Sequence, residues 1–408
     1  MAASIGDNPE CDARSQALGA VVAGMVTAVV GFSSSFALVL TGLTAQGATT
    51  EQAASGLFIL CLAMAVGMAL LIFRHRIPIT LAWSTPGAAL LAGTSMAAEN
   101  WSAAVGAFAL VAVLTALTGL WPWLARLMAS IPVAIANAML AGVLIPICIS
   151  AFTTLARTPL FVIPILIVWL VGYALVRRWA VPLALVTALV VVGLTVNRTP
   201  TIADLTPTLM WTTPTFDWRF AVGLALPLFA VNIASQYAPG VAVMKTFGYR
   251  IPWRPTMMVT AGVSAIAAPF GGHAVNLAAI SAALAASEEA HPRLDRRWIA
   301  ALSAAGFYLV LGLLSSAAAF VLTNAPPGLI ITVAALALLG TLGSALQRSV
   351  ADLDDREAAG ITVVATASGI SLLGIGSAFW GLAIGQAVCA VLRGSRGASQ
   401  RRPRRALR

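Results

Sequence analysis

Charged residues in this sequence are confined to the edges of long apolar runs. No Asp, Glu, Lys or Arg occurs in 52–73, 77–98, 127–156, 179–197, 220–244, 255–287, 299–347 or 358–392. About 20 apolar residues cross the hydrocarbon core of a bilayer as a helix. The pattern therefore predicts an all-α polytopic membrane protein of about 14 transmembrane segments. The first seven fall at 17–40, 53–73, 78–97, 102–123, 131–152, 159–176 and 180–196. The second seven fall at 220–238, 256–268, 270–286, 299–322, 329–346, 359–374 and 376–392. A polar N-terminal segment (1–16), an external linker (197–219) and a basic tail (393–408) complete the chain.

Seven spans on each side of an external linker enter the membrane with opposite polarity. That arithmetic predicts an inverted repeat (17–196 and 220–392), a common build of secondary transporters. Two segments break the helical pattern in corresponding places, the third span of each half. In Ile77-Pro78-Ile79-Thr80-Leu81-Ala82-Trp83-Ser84-Thr85-Pro86-Gly87 the alternation of Ile79, Leu81 and Trp83 suits a strand. Thr85 then reads as an N-cap and Pro86 as a first helical residue, with a half-helix running to Ala97. In Ala268-Pro269-Phe270-Gly271-Gly272-His273-Ala274-Val275-Asn276, Pro269 and the glycine pair stop one helix. A second half-helix is expected from near His273 to Ala286. Extended backbone at membrane depth is tolerated only where protein or a polar cavity covers it. Helix N-termini meeting there present N–H groups and positive dipole ends, which suit a small anion.

The chain has 408 residues, 60% of them hydrophobic and 9% charged, with a net charge of +10. Almost nothing remains for a soluble domain. The basic balance does not point to nucleic acid, because nothing aromatic or folded accompanies the tail. With both termini cytoplasmic, all of the 24 Lys and Arg except Arg157, Arg198 and Arg219 lie inside. The positive-inside rule favours this orientation, and the tail is expected to stay disordered beside anionic lipid. Trp101, Trp121, Trp123, Trp179, Trp211, Trp218, Trp253 and Trp298 fall near span ends, as an aromatic belt requires. The first 15 residues lack a basic region and a cleavage site, so no signal peptide is read. The four cysteines have neither metal nor disulfide spacing.

Few polar groups remain at membrane depth, and these are the candidate substrate-binding residues. Asn232 and Gln236, four apart in the eighth span, are expected on one inward helix face. His273 is the one intramembrane side chain with an ordinary pKa near neutral. It is the candidate for proton coupling, with a neutral hydrogen-bonded imidazole as the alternative. Asn276 lies three residues on. Ser34, within Ser33-Ser34-Ser35 of the first span, is a candidate contact, and Trp83 could stack on an aromatic substrate. Ser84, Thr85, Gly87, Gly271 and Gly272 line the two breaks. Asn137 and Trp380 read as packing residues. No nucleophile–base pair or metal cluster is available at membrane depth, so an enzyme is not expected, and neither is a cofactor.

These residues resemble the benzoate membrane transport family of bacterial proton symporters. The resemblance covers essentially the whole chain after residue 16. It is carried by Ala82-Trp83-Ser84-Thr85-Pro86-Gly87-Ala88-Ala89-Leu90-Leu91, by the run 226–240, by Glu289-Ala290-His291-Pro292, and by Gly374-Ile375-Gly376-Ser377-Ala378-Phe379-Trp380-Gly381. It implies a fold similar to the nucleobase–cation symporters and sulfate-type anion carriers. That fold has a core domain from spans one to four and eight to eleven and a gate domain from the rest. Substrate lies between the third- and tenth-span half-helices, here 84–87 and 271–276, near 232–236. Relatives are often dimers, so a homodimer is also implied. The nucleobase carriers place a carboxylate near this site, whereas this chain has Asn232 and Gln236. A carboxylate proton relay is therefore not carried over.

The expected function is import of benzoate or a similar aromatic monocarboxylate with a proton across the bacterial inner membrane, by alternating access around a midplane site. The rival expectation is a proton-independent small-anion carrier or channel of the sulfate-transporter-like fold.

Overall fold

In hydrocarbon every backbone N–H and C=O must find a partner, and a helix supplies one within its own segment. The apolar runs accordingly fold as helices. A computed structural model describes residues 9–94, 100–121, 132–196, 198–278, 280–373 and 375–401. Its first half contains α1 (Pro9–Ser33), α2 (Phe36–Ala45), α3 (Thr50–His75), β1 (Leu81–Trp83), α4 (Thr85–Gly93), α5 (Trp101–Leu120), α6 (Val133–Arg157), α7 (Pro159–Leu175) and α8 (Ala180–Thr195). Its second half contains α9 (Trp218–Thr246), α10 (Trp253–Ala267), β2 (Val275–Leu277), α11 (Ile280–Ala286), α12 (Trp298–Gly312), α13 (Ser315–Asn324), α14 (Leu329–Ser349), α15 (Arg356–Ala367) and α16 (Ser377–Arg401).

The chain is a mostly helical membrane protein. Among the described residues six helical stretches, counting α1–α2 as one, are each long and apolar enough to cross a membrane. The α12–α13 pair, bent by 52°, makes a seventh. The shorter α7 and α8, and the Ser377–Arg393 part of α16, are also apolar.

Local chemistry sets several boundaries. Thr49 and Gln52 form a capping box at the start of α3, satisfying N–H groups that the helix itself cannot. The long α9 contains two π-helical turns, Ala221–Ala225 and Ile233–Tyr237. Pro227 and Pro239 follow them closely. Proline lacks an N–H and its ring crowds the carbonyl four residues back, so a widened turn just upstream relieves the clash.

β1 and β2 cross antiparallel inside the bundle, with Leu81 opposite Leu277, Ala82 opposite Asn276 and Trp83 opposite Val275. The pairing extends through Ala278 N–H to Thr80 O at 3.0 Å. This ladder corrects two sequence expectations. The second half-helix starts at Ile280 rather than near His273, because Val275–Leu277 commit their backbone groups to β1. The first starts one residue early: Ser84 is the N-cap, its Oγ accepting from Gly87 N–H at 2.9 Å, with Thr85 and Pro86 inside the first turn. The last residues of that expected half-helix, 95–97, lie outside the described residues.

The helices pack in two groups, the first of which holds the strands against α3 and α10. In one, α1 lies along α12, α3 along α12 and α10, and α5 along α10; in the other, α6 carries α14, α15 and α16. The linker is an ordered strap over one end of the first group. Met210 N–H donates to Ser55 Oγ at 2.9 Å, Thr212 N–H to Pro269 O at 2.7 Å, and Thr215 N–H to Ser102 O at 3.0 Å. Trp101, expected at an interface, is instead buried, its Nε1 donating to Thr212 Oγ1 at 3.0 Å. Trp123 lies outside the described residues. The tail also departs from expectation: α16 continues as helix to Arg401, and 402–408 lie outside the described residues.

Candidate substrate site

The first span is broken at its three serines. Their hydroxyls turn back onto the chain, Ser33 to Val30 O and Ser34 and Ser35 to Gly31 O. Such bonds compete with helical ones, and α1 ends there. Ser35 Oγ also accepts from Trp83 Nε1 at 2.8 Å. Trp83 sits edge-on to Phe32 at 5.8 Å and to Tyr308 at 6.2 Å between ring centroids. The broken first span, β1 and α12 thereby build one aromatic wall.

Two cavities adjoin this wall. The smaller, about 90 Å³, is bordered by Ser34, Trp83, Thr85, Gln236, Ser281 and Tyr308. The larger, about 280 Å³, shares Val30, Ser34, Thr85 and Gln236 with it and continues past Asn137, Thr341 and Ser344 to Arg348. Of the expected residues, Ser34, Trp83, Thr85 and Gln236 meet at these cavities. Gln236 is 8% exposed, and no described residue hydrogen-bonds its amide. Among the described residues, no Asp, Glu or His borders either cavity, and Arg348 is the one charged group on them.

The remaining expected residues lie behind this surface. Asn232 is fully buried and neither amide atom has a partner. Gln236, within the π turn 233–237, borders both cavities, while Asn232, just ahead of that turn, borders neither. His273 is fully buried, with Nε2 3.2 Å from Ser84 O, Nδ1 unpartnered and its ring edge-on to Phe108 at 6.3 Å. Asn276 is 1% exposed on β2, and its Nδ2 has no partner. Ser84 and Gly87 form the N-cap bond of α4. Gly271 adopts φ +92, and a Cβ there would press on Trp101, Gln52 O and Gly56 at 3.1–3.2 Å. The glycine thus allows a close chain crossing. Gly272 N–H donates to Ala267 O at 3.0 Å.

The family model described as benzoate membrane transport protein matches residues 14–391. The chain belongs to the benzoate membrane transport (BenE) family. The inner membrane protein YdcO of Escherichia coli is 40% identical over 374 residues, covering 91% of this chain and 95% of that protein. The benzoate membrane transport protein of Acinetobacter baylyi is 29% identical over 369 residues, covering 90% and 93%. Two solved structures share the fold at low identity. The transmembrane domain of the cyanobacterial bicarbonate transporter BicA gives a TM-score of 0.57 at 14% identity, covering 92% of this chain and 96% of that one. SLC26A9 gives 0.61 at 12% identity over 91% of this chain. The chain spans 65% of the length of SLC26A9, just under two thirds.

This BenE-family chain is therefore a membrane transporter and not an enzyme. Among its described residues no group of three or more His, Cys, Asp or Glu could hold a metal. Sequence reasoning missed Tyr308, Ser281 and Arg348, and read Asn137 as packing alone. Asn137 borders the larger cavity while its Nδ2 donates to Val133 O at 2.7 Å. Tyr308 carried a usable signal, a phenol in the middle of an apolar span, since a buried tyrosine hydroxyl needs a polar surrounding. Arg348 carried none, because at a span end it reads as an ordinary flanking cation.

Proposed function

We propose that this protein carries benzoate or a similar aromatic monocarboxylate across the bacterial inner membrane together with a proton. The single observation that carries the reading is the lining of the smaller cavity. There Trp83 and Tyr308 stand with the uncharged hydrogen-bonding groups of Ser34, Thr85 and Gln236, the last two and Ser34 also bordering the larger cavity. The wall suits a phenyl ring, and hydroxyl and amide donors suit a carboxylate without repelling it. An acidic side chain there would disfavour an anion.

The transport geometry follows from fourteen spans in a seven-plus-seven inverted repeat, with both termini cytoplasmic. The group around α1–α5 and α9–α13 acts as the core, and α6–α8 with α14–α16 as the gate. Substrate is passed by alternating access around the cavity. In this orientation the Arg348 end of the larger cavity faces the cytoplasm, and the linker strap covers the opposite side.

Importing one negative charge against an inside-negative potential costs about 2.3 kcal/mol per 100 mV, which one accompanying proton removes. Two routes exist for that proton: the His273 imidazole, or the substrate itself as the neutral acid. The absence of any carboxylate or imidazole on the cavities, among the described residues, favours the second. The same observation supports the rival reading, a proton-independent small-anion carrier.

The test is uptake of labelled benzoate into proteoliposomes with and without an imposed proton gradient. Accumulation that collapses with an uncoupler supports symport. Flux indifferent to the gradient supports the rival, and no flux rejects the substrate assignment.

A further inference from the structure

Arg348 lies in the last turn of α14 and is exposed. It makes no ion pair or hydrogen bond with any described residue. It borders both the 280 Å³ cavity and a wider, largely apolar one of about 710 Å³ that meets it at Asn137, Pro239 and Arg348. From Arg348 the face of α14 carries Ser344 and then Thr341 along the larger cavity toward Gln236 and Thr85. Seven residues of helix separate Thr341 from Arg348, about 10 Å at 1.5 Å per residue.

We propose that Arg348 is the cationic docking point for the substrate carboxylate at the cytoplasmic mouth of the cavity, where the anion coming from Gln236 past Thr341 and Ser344 leaves in import and enters in exchange. This deepens the transport reading above and rests on it. Three features carry the assignment. A guanidinium with no partner is free to pair with a carboxylate through two parallel N–H bonds. It is the one charge bordering the path among the described residues. The path ends at an amide that is nine-tenths buried and unpartnered. Being exposed, the guanidinium is screened by salt, and about 10 Å of helix rise separates its residue from Thr341. It therefore acts on capture of the anion at the mouth and not on the passage of substrate held at Gln236.

The test is equilibrium exchange of labelled benzoate in proteoliposomes. Equal benzoate on both faces removes any dependence on the direction of insertion. Arg348→Lys, Arg348→Gln and Arg348→Glu are compared with the unmodified protein at low and high salt. The KM is expected to rise in that order, by roughly 10-fold for Gln, the low end of the range for electrostatic steering. The maximal rate should be unchanged, and the difference between Arg and Gln should shrink at high salt. A lowered maximal rate at unchanged KM would show that Arg348 only completes the C-terminal end of α14, and would overturn the proposal. An unaltered KM in all three variants would do the same. Should Arg348→Gln fail to fold, Arg348→Lys and the salt dependence of the unmodified protein give the reading; a salt-independent KM there also overturns it. Failure of the unmodified protein to move benzoate rejects the transport reading, and this assignment with it.

Discussion

His273 Nε2 lies 3.2 Å from the carbonyl oxygen of Ser84, and both residues are sealed from solvent. The ring nitrogen must donate, since the carbonyl only accepts. That carbonyl also accepts the Ala88 N–H at 2.7 Å in the first turn of α4. The imidazole thus ties the chain ahead of β2 to the N-terminus of α4, and it borders neither cavity. His273→Asn is expected to retain accumulation driven by a proton gradient and to lose about 1–3 kcal/mol of stability, the cost of a lost buried hydrogen bond. Uptake and thermal unfolding of the purified variant check this. Exchange that survives while accumulation vanishes would make the imidazole the proton carrier.

Gln236 and Asn232 are expected to respond in opposite ways to the same change. A hydrogen bond to a charged group contributes about 1.5–3 kcal/mol, so Gln236→Leu should raise the KM for benzoate by roughly 10-fold or more. Asn232 holds two unpartnered buried amide atoms, which is an unfavourable arrangement that an apolar side chain of similar shape removes. Asn232→Leu should leave the KM alone and keep or raise the melting temperature. Equal effects on KM would place both amides against the substrate.

Gly31 stands directly under the Tyr308 hydroxyl, so that a Cβ at residue 31 would collide with it. Overpacking of this kind costs about 1–3 kcal/mol, and here the yielding group borders the cavity. Gly31→Ala is expected to impair uptake, and adding Tyr308→Phe to restore it, because the next ring atom, Cζ, is 3.5 Å away. A double variant no better than Gly31→Ala would mean that the tyrosine position does not limit transport.

Two ion pairs differ in burial and should differ in worth. Arg393 bonds Asp355 at 2.7 Å, and the carboxylate is 5% exposed while the guanidinium is 55% exposed. Removing one partner of a fully buried pair costs about 3–5 kcal/mol. With the guanidinium half in solvent, about 1–2 kcal/mol is the expected loss for Arg393→Ala. The Arg293–Asp295 pair is exposed on both sides, at 61% and 63%, and Arg293→Ala should leave stability essentially unchanged. Chemical denaturation of the two variants in detergent compares them, and equal losses would contradict the burial argument.

The helices, the two breaks and the strand ahead of α4 were legible in the sequence, and so was the family. Charge-free runs, Pro86, Pro269 and the Gly271–Gly272 pair act within a turn or two of themselves. Backbone satisfaction in hydrocarbon is decided segment by segment, so local pattern suffices. The candidate site was legible in part: Ser34, Trp83, Thr85 and Gln236, read from the sequence as candidate contacts, border the cavities, while Tyr308, Ser281 and Arg348 border them without having been singled out.

What the tertiary structure decided is which polar groups meet. Trp83 is set opposite Val275 by strand pairing between segments nearly two hundred residues apart, a register no local pattern specifies. That same pairing delays α11 to Ile280 and draws His273 to the Ser84 carbonyl. Within α9, packing brings Gln236 to the cavities and leaves Asn232 behind them. Sequence alone determined the elements, because burial and hydrogen bonding along one segment are local; the site is a relation between segments, fixed by packing across the bundle.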